Sequence, residues 1–410
     1  MPRVVYGRLI EGLCPFASSK EEWLAPMDSS SVTFPVGAHP GRVQPLSPAS
    51  SAHRGPLKIA IVAPPWLPVP PVGYGGTENV LDTLARGLND AGHEVLLCAS
   101  GDSTCPVPRS SVFEHAVGVG VGSSVDEIRH VLHSYDALRD VGVDVVHDHT
   151  LVGPLYSGTF PDLPVVTTNH GPFNEELIDL FRVIAGRVPV AAISKHQAST
   201  APDIPIAAVI HHGVDPAAFP VGTGGGGYAV FLGRMHPGKA PHVAAEVARA
   251  AGIPLKIAAK MREPAERQYF DTMVRPLLGR DVTYLGEVNR QEKLELLGGA
   301  ECLLNPIAWP EPFGMVMIEA LACGTPVVTT SCGAAPEIVD DGVVGWVRNS
   351  AAGLVDALGN VRSLNRSACR HHVETKFSMG RMVAEHLTLY EHAISLLSTE
   401  TSEDWVLGAA

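Results

Sequence analysis

Apolar positions fall into short runs separated by longer amphipathic stretches, and that alternation predicts the architecture. Leu57-Lys-Ile-Ala-Ile-Val-Ala reads as a first buried strand. A helix is predicted over about 77–91, with Val80, Leu81, Leu84 and Leu88 on one face. Further strands are read at 92–98, 143–147, 165–168, 189–194 and 207–211, with a helix at 126–141. Residues 220–227, Pro-Val-Gly-Thr-Gly-Gly-Gly-Gly, have the composition of a linker. The pattern then restarts, with strands at 228–233, 255–259, 282–286 and 327–330 and helices near 241–251 and 290–298. Helices at 351–360 and 379–397 close the chain. Strands alternating with helices imply parallel sheets covered on both faces. The predicted class is therefore α/β, with two doubly wound domains at 57–219 and 228–375, a closing segment at 376–397 and a polar, frayed tail at 398–410. Residues 1–55 lack periodicity and are rich in Pro, Ser and Gly, which predicts an extension outside the core, with a short helix near Glu21 and Leu24 and Met27 as another start.

The most informative stretch is 305–319, Asn-Pro-Ile-Ala-Trp-Pro-Glu-Pro-Phe-Gly-Met-Val-Met-Ile-Glu. Pro306, Pro310 and Pro312 each lock φ and lack an N–H, so no helix forms before Phe313. Glu311 is thus placed in a loop and Glu319 in the helix that follows. The N–H groups of Phe313, Gly314 and Met315 are left without intrahelical partners, which suits anions and ligand oxygens. An ordinary crossover would have no packing reason for a core so polar and so proline-bound.

Composition narrows the field. A chain of 410 residues, 45% hydrophobic and 18% charged, is long enough for two cores. A net charge of −13 argues against nucleic acid as the main partner. The seven cysteines are scattered without Cys-x-x-Cys, as in reduced thiols rather than a disulfide framework. No apolar run reaches the ~18 residues needed to span a bilayer, and the expectation is a cytoplasmic enzyme, with peripheral membrane contact left open.

Three more clusters carry chemistry. Gly75-Gly76-Thr77-Glu78 sits between the first strand and helix, where backbone can approach a ligand closely, although it is not a dinucleotide fingerprint. Gly233-Arg234-Met-His-Pro-Gly-Lys239 follows a strand; Arg234 can fork onto phosphate oxygens and Lys239 adds a point charge. His147, His149 and His170 end strands, but no third ligand with matching spacing accompanies His147-Asp-His149, and no metal is assigned.

Glu311-Pro-Phe-Gly-Met-x-x-x-Glu319-Ala-x-Ala-x-Gly-x-Pro-Val-Val resembles the signature of glycosyltransferase family 4, the retaining nucleotide-sugar enzymes of the GT-B fold. The Gly-Gly-x-Glu and Gly-Arg-x-x-x-x-Lys patterns stand in the family's order, with Ala240 in place of the usual glycine after the lysine. The resemblance implies two Rossmann-like domains facing a cleft and a C-terminal helix crossing back to the first domain. It implies catalytic roles for His170, Arg234, Lys239 and Glu311, donor contacts at Gly75, Gly76, Phe313, Gly314, Met315 and Glu319, and no cofactor or metal. His147 and His149 are acceptor-side candidates or structural. Ser194-Lys195 and His212-Gly-Val-Asp215 occupy hinge positions, where His212 replaces the family's Asn, and Glu337 is read as structural. The implied reaction moves a hexosyl group from a nucleoside-diphosphate sugar, most simply a UDP-sugar, to a glycan, lipid or small molecule. An epimerase, a phosphorylase or a non-catalytic sugar-nucleotide binder stays open as an alternative.

Overall fold

The structure is a computed structural model that describes residues 55–118 and 123–407, with side chains to residue 397. The extension expected at the N-terminus, apart from residue 55, and the helix near Glu21 lie outside the described residues. Among the described residues the strands form two sheets. The first has β1 (Lys58–Val62), β2 (Glu94–Cys98), β3 (Arg109–Ser110), β4 (Val145–Asp148), β5 (Val165–Thr168), β6 (Val190–Ala192) and β7 (Ile206–Val209). The second has β8 (Ala229–Arg234), β9 (Leu255–Lys260), β10 (Val282–Gly286), β11 (Cys302–Asn305), β12 (Val327–Thr329) and β13 (Gly345–Val347). Their orders are β3-β2-β1-β4-β5-β6-β7 and β10-β9-β8-β11-β12-β13, every pairing parallel. In each sheet the order reverses beside its first strand, and in open α/β sheets ligands bind at such switch points. Two Rossmann-like domains of the predicted class are thus present.

The central strands are buried on both faces, which explains their continuous apolar runs: Ile59, Ala60, Ile61 and Val62 are fully buried. Helix Gly76–Asp90 covers one face of the first sheet through Val80, Leu81, Leu84 and Leu88. The closing helix packs there too, placing Met382, Val383, Leu389 and Tyr390 in the same core. This is the crossover back to the first domain. The helix runs Met379–Leu407, past its expected end at residue 397 and through most of the tail read as frayed. A helix at Arg366–Lys376, not expected, precedes it; Asn365 caps it by accepting from the N–H groups of Ser367 and Ala368.

The glycine-rich segment before β8 joins the domains but is pinned. The N–H groups of Gly222, Gly224 and Gly226 donate to the carbonyls of Cys323, Gly298 and Gly299. A Cβ on Gly222 would lie 2.1 Å from the Gly298 carbonyl oxygen, so glycine is required there by close backbone approach. A second tie fixes one domain on the other. Glu337 accepts from the N–H groups of Lys195 (2.9 Å) and His196 (2.7 Å) and bonds His211 Nε2 (2.8 Å), while Ser194 Oγ donates to the Pro312 carbonyl at 2.6 Å. Burial would raise the Glu337 carboxyl, but these three donors hold it below its ordinary range.

Candidate active site

Between the domains lies a cavity of about 620 Å³, within the range of roughly 300–1,000 Å³ usual for ligand sites. Its second-domain wall is built around the proline loop. The loop ends at Gly314, whose φ of 101° is a left-handed conformation that favours glycine, and helix Met315–Ala322 begins there. Phe313, Gly314, Met315 and Val316 border the cavity, so a helix start with unpartnered N–H groups forms part of the wall.

Two cation–carboxylate pairs stand on this wall. Lys239 pairs with Glu311 Oε2, and the same oxygen accepts from Trp309 Nε1 at 2.9 Å. The Lys239 ammonium also lies 5.5 Å from the Trp309 ring centre. Burial opposes its charge, but the Glu311 carboxylate, with a further electrostatic contribution from Tyr74, outweighs that penalty and holds its pKa above the ordinary lysine value. Lys293, from helix Arg290–Gly299, donates to Glu319 Oε1 at 2.6 Å. All four charged residues border the cavity.

Arg234 is placed differently. Although Gly233 beside it borders the cavity, Arg234 does not; its guanidinium is held by Glu263 and Glu266. Burial would raise the Glu266 carboxyl, but backbone N–H groups of Glu263 and Arg262 and the Arg234 guanidinium bring it down to about 2. The same network reaches across the cleft: Arg262 pairs with Glu287, which accepts from the Tyr74 N–H of the first domain at 2.9 Å.

The first-domain wall carries Gly75, Gly76, Thr77 and Asn79 at the start of helix Gly76–Asp90, together with His170 and His212. Asn79 Nδ2 fixes the turn by donating to the Gly75 carbonyl at 2.8 Å. The His212 ring stacks on His170, with centroids 5.2 Å apart, and meets the edge of Phe313 at 4.9 Å. Burial is the chief cause that lowers the pKa of His170 to about 3 and of His212 well below its ordinary value, so both rings are neutral.

The acceptor-side candidates do not border the cavity. His147 is fully buried, bonded through Nδ1 to Tyr390 Oη and through Nε2 to Thr168 Oγ1, both at 2.8 Å. It ties β4 and β5 to the closing helix, a structural part in which both ring nitrogens are occupied. His149 stands one ring behind the wall, with Nδ1 2.9 Å from His170 Nε2. Of the predicted residues, the cavity unites Gly75, Gly76, His170, Lys239, Glu311, Phe313, Gly314, Met315 and Glu319, and leaves out Arg234, His147 and His149.

Two family models match consecutive parts of the chain: Glycosyltransferase Family 4 over residues 74–218 and Glycosyl transferases group 1 over residues 223–362. The chain belongs to glycosyltransferase family 4. Among its relatives, the phosphatidyl-myo-inositol mannosyltransferase of Propionibacterium freudenreichii is 29% identical over 72% of this chain and 84% of that protein. The D-inositol 3-phosphate glycosyltransferase of Mycolicibacterium smegmatis is 30% identical over 46% of this chain, a match spanning only 48% of that protein. AviGT4, a glycosyltransferase involved in avilamycin A biosynthesis, superposes with a TM-score of 0.63 at 27% identity, covering 83% of this chain and 98% of its own. Sucrose-phosphate synthase from Thermosynechococcus elongatus shares the fold with a TM-score of 0.68 at 18% identity, covering 83% and 100%. This family 4 member is thus a glycosyltransferase of GT-B type.

Several contributors to its cleft escaped the sequence. Lys293 lies 26 positions before Glu319, with nothing in its helix to mark it as that carboxylate's partner. Glu287 and Tyr74 meet only because the domains face each other. Trp309 had a visible signal, an indole two residues before a carboxylate in a proline-bound loop. No helix among the described residues is long and apolar enough to cross a membrane.

Proposed function

We propose that this protein transfers a hexosyl group from a nucleoside-diphosphate sugar to an acceptor hydroxyl with retention of configuration and without a divalent metal. The observation that carries the reading is the second-domain wall, where two lysines, two glutamates and a helix start converge on one cavity. Breaking the anomeric C–O bond places charge on the leaving diphosphate. Lys239 and the helix start are positioned to stabilise that charge, as preorganised donors do elsewhere. Arg234 would join them by exchanging Glu263 for a phosphate oxygen.

Glu311 keeps Oε2 for Lys239 and Trp309, and no described residue donates to Oε1, which is free for a sugar hydroxyl. Glu319, braced by Lys293, suits the paired hydroxyls of a ribose. In this reading Glu311 and Glu319 bind hydroxyl groups of the donor, and no covalent intermediate is formed on either. The acceptor oxygen then attacks from the side the diphosphate leaves, and its proton passes to a departing phosphate oxygen. A UDP-sugar is the simplest donor for this reading and the first to be tried.

Thermal stabilisation and slow donor hydrolysis, measured across UDP-, GDP- and ADP-sugars with EDTA present, test the reading. A single nucleotide series that stabilises the protein and is hydrolysed supports it. Stabilisation without hydrolysis or transfer indicates a binding protein; epimerised sugar or phosphate-dependent cleavage indicates the other GT-B chemistries.

A further inference from the structure

The two domains are tied at two places of different kind. One tie lies close to the hinge, where Glu337 holds Lys195, His196 and His211 and the fully buried Ser194 donates to the Pro312 carbonyl. The other stands on the cavity itself: the Tyr74 N–H donates to Glu287 Oε1 at 2.9 Å, and both residues border the cavity.

The acceptor in this second tie is held in place by its own domain. Glu287 follows β10 and is gripped by Arg262, which donates from Nη2 to Oε1 at 2.7 Å and from Nε to Oε2 at 3.0 Å. A two-pronged pair of this kind fixes the carboxylate's orientation as well as its charge. Arg262 is anchored in turn, its N–H donating to Glu266 Oε2 at 2.7 Å. Oε1 therefore takes its bond from the residue directly before the Gly75-Gly76 turn while braced from behind. A Cβ on Gly73 would lie 2.5 Å from the same oxygen, so loop and carboxylate are already at closest approach. The Arg262 and Glu287 side chains are 52% and 27% exposed. Water can replace a bond at that exposure, so this tie can open for a ligand to pass while the buried one stays.

We infer that Glu287 is a positioning residue that clasps the glycine turn of the first domain to the donor wall of the second, and that the clasp sets how much of the glycosyl group goes to the acceptor and how much to water. The inference rests on the proposed reading, in which the second-domain wall holds the donor and the acceptor hydroxyl approaches from the first. In either reaction the anomeric C–O bond to the diphosphate breaks. An acceptor or water oxygen takes its place, and the proton of the attacking group passes to a departing phosphate oxygen. A contact between the walls governs the distance from acceptor to anomeric carbon, and a displacement of about 1 Å can cost ~10²-fold in rate. Water needs no first-domain residue to reach that carbon.

The clasp is tested first on the ligand-free, full-length protein carrying 15N-labelled tyrosine, with Tyr74 assigned as the amide signal missing from Tyr74→Phe. Hydrogen exchange at that amide is expected to be roughly tenfold faster or more in Glu287→Ala than in wild type, with the other tyrosine amides unchanged. Glu287→Gln keeps an oxygen for the Tyr74 N–H and should exchange more slowly than the alanine variant. Equal rates in wild type and Glu287→Ala overturn the inference, whether or not transfer is found. Slow wild-type exchange in a protein that neither transfers nor hydrolyses a donor would support the clasp and count against the proposed function. With donor and acceptor identified, transfer by Glu287→Ala should fall roughly tenfold while donor hydrolysis holds or rises, and Glu287→Gln should restore much of the ratio. Parallel loss of both rates at an unchanged ratio would contradict the positioning role.

Discussion

The two walls of the cleft solve opposite electrostatic problems. The first-domain wall holds histidines that burial keeps neutral, His170 and His212 at the cavity with His149 behind them. The second-domain wall holds cation–carboxylate pairs, Lys239 with Glu311 and Lys293 with Glu319. Neutral imidazoles can discriminate hydroxyl patterns without attracting phosphate, whereas a paired cation can trade its carboxylate for a phosphate as charge develops. The contrast predicts that removing the Lys239 cation costs chemistry, that removing the Lys293 brace costs donor binding, and that variants of the first-wall histidines lose selectivity.

Lys239→Ala is the sharpest cut. It removes the cation and leaves Glu311 held by Trp309 alone; turnover is expected to fall about 10²-fold, about 3 kcal/mol, while the circular dichroism spectrum stays that of a folded protein and the melting temperature drops because a buried carboxylate loses its partner. Turnover within a few-fold of wild type would dissolve the distinction between the walls. Lys293→Met frees Glu319 from its brace and acts on binding: donor KM should rise roughly tenfold with kcat less affected, as seen by steady-state kinetics.

Acid separates buried neutral histidines from ion-paired carboxylates by stability. The folded pKa values of His130 and His386 (about 4) and of His170 (about 3) lie below the ordinary 6.5, so the unfolded chain takes up protons first as pH falls. Their neutral burial contributes stability that is complete above pH 6.5 and declines below it. Glu266, at about 2 against an ordinary 4.5, contributes stability that fades only as pH drops below 4.5. Asp148, whose buried carboxyl is pushed up to about 7, acts with the opposite sign as pH falls, but it is one group against several buried histidines. The melting temperature should therefore fall on balance between pH 7 and 5; a flat profile over that interval would contradict the neutral burial of the histidines.

The smallest expected effect concerns Ala240, which holds a φ of 55° where the family has glycine. A left-handed alanine costs about 1–2 kcal/mol, but its methyl group is fully buried in the second-domain core. Losing a buried methyl costs about 0.8 kcal/mol, and added glycine freedom in the unfolded chain costs a little under 1 kcal/mol more. Ala240→Gly should thus shift denaturant stability by about 0.5 kcal/mol or less.

Much of this was readable before any coordinates, for physical reasons that vary by element. Buried parallel strands such as 57–63 announce themselves because both faces exclude polar residues. The proline loop declares where its helix starts, and Glu311 and Glu319 stand where that loop implied. Helix Arg366–Lys376 was missed because Arg, His, Glu and Lys dominate it and only Cys369, His372 and Val373 are buried. The glycines of residues 220–227 have the composition of a linker, yet Gly222 is there because another backbone passes against it. Arg234 was drawn to the cleft by its motif, but Glu263 and Glu266, some thirty positions on, hold it aside, and no local pattern encodes that competition.

The central claim is that lysines and a helix start perform the neutralisation that a divalent ion performs in other sites. Its most direct test is the wild-type transfer rate, once a donor is identified, measured in EDTA and again with added Mg²⁺ or Mn²⁺. The account predicts rates that agree within about twofold, since Lys239 already supplies the charge a metal would bring. Activity that vanishes in EDTA and returns with the metal would contradict it.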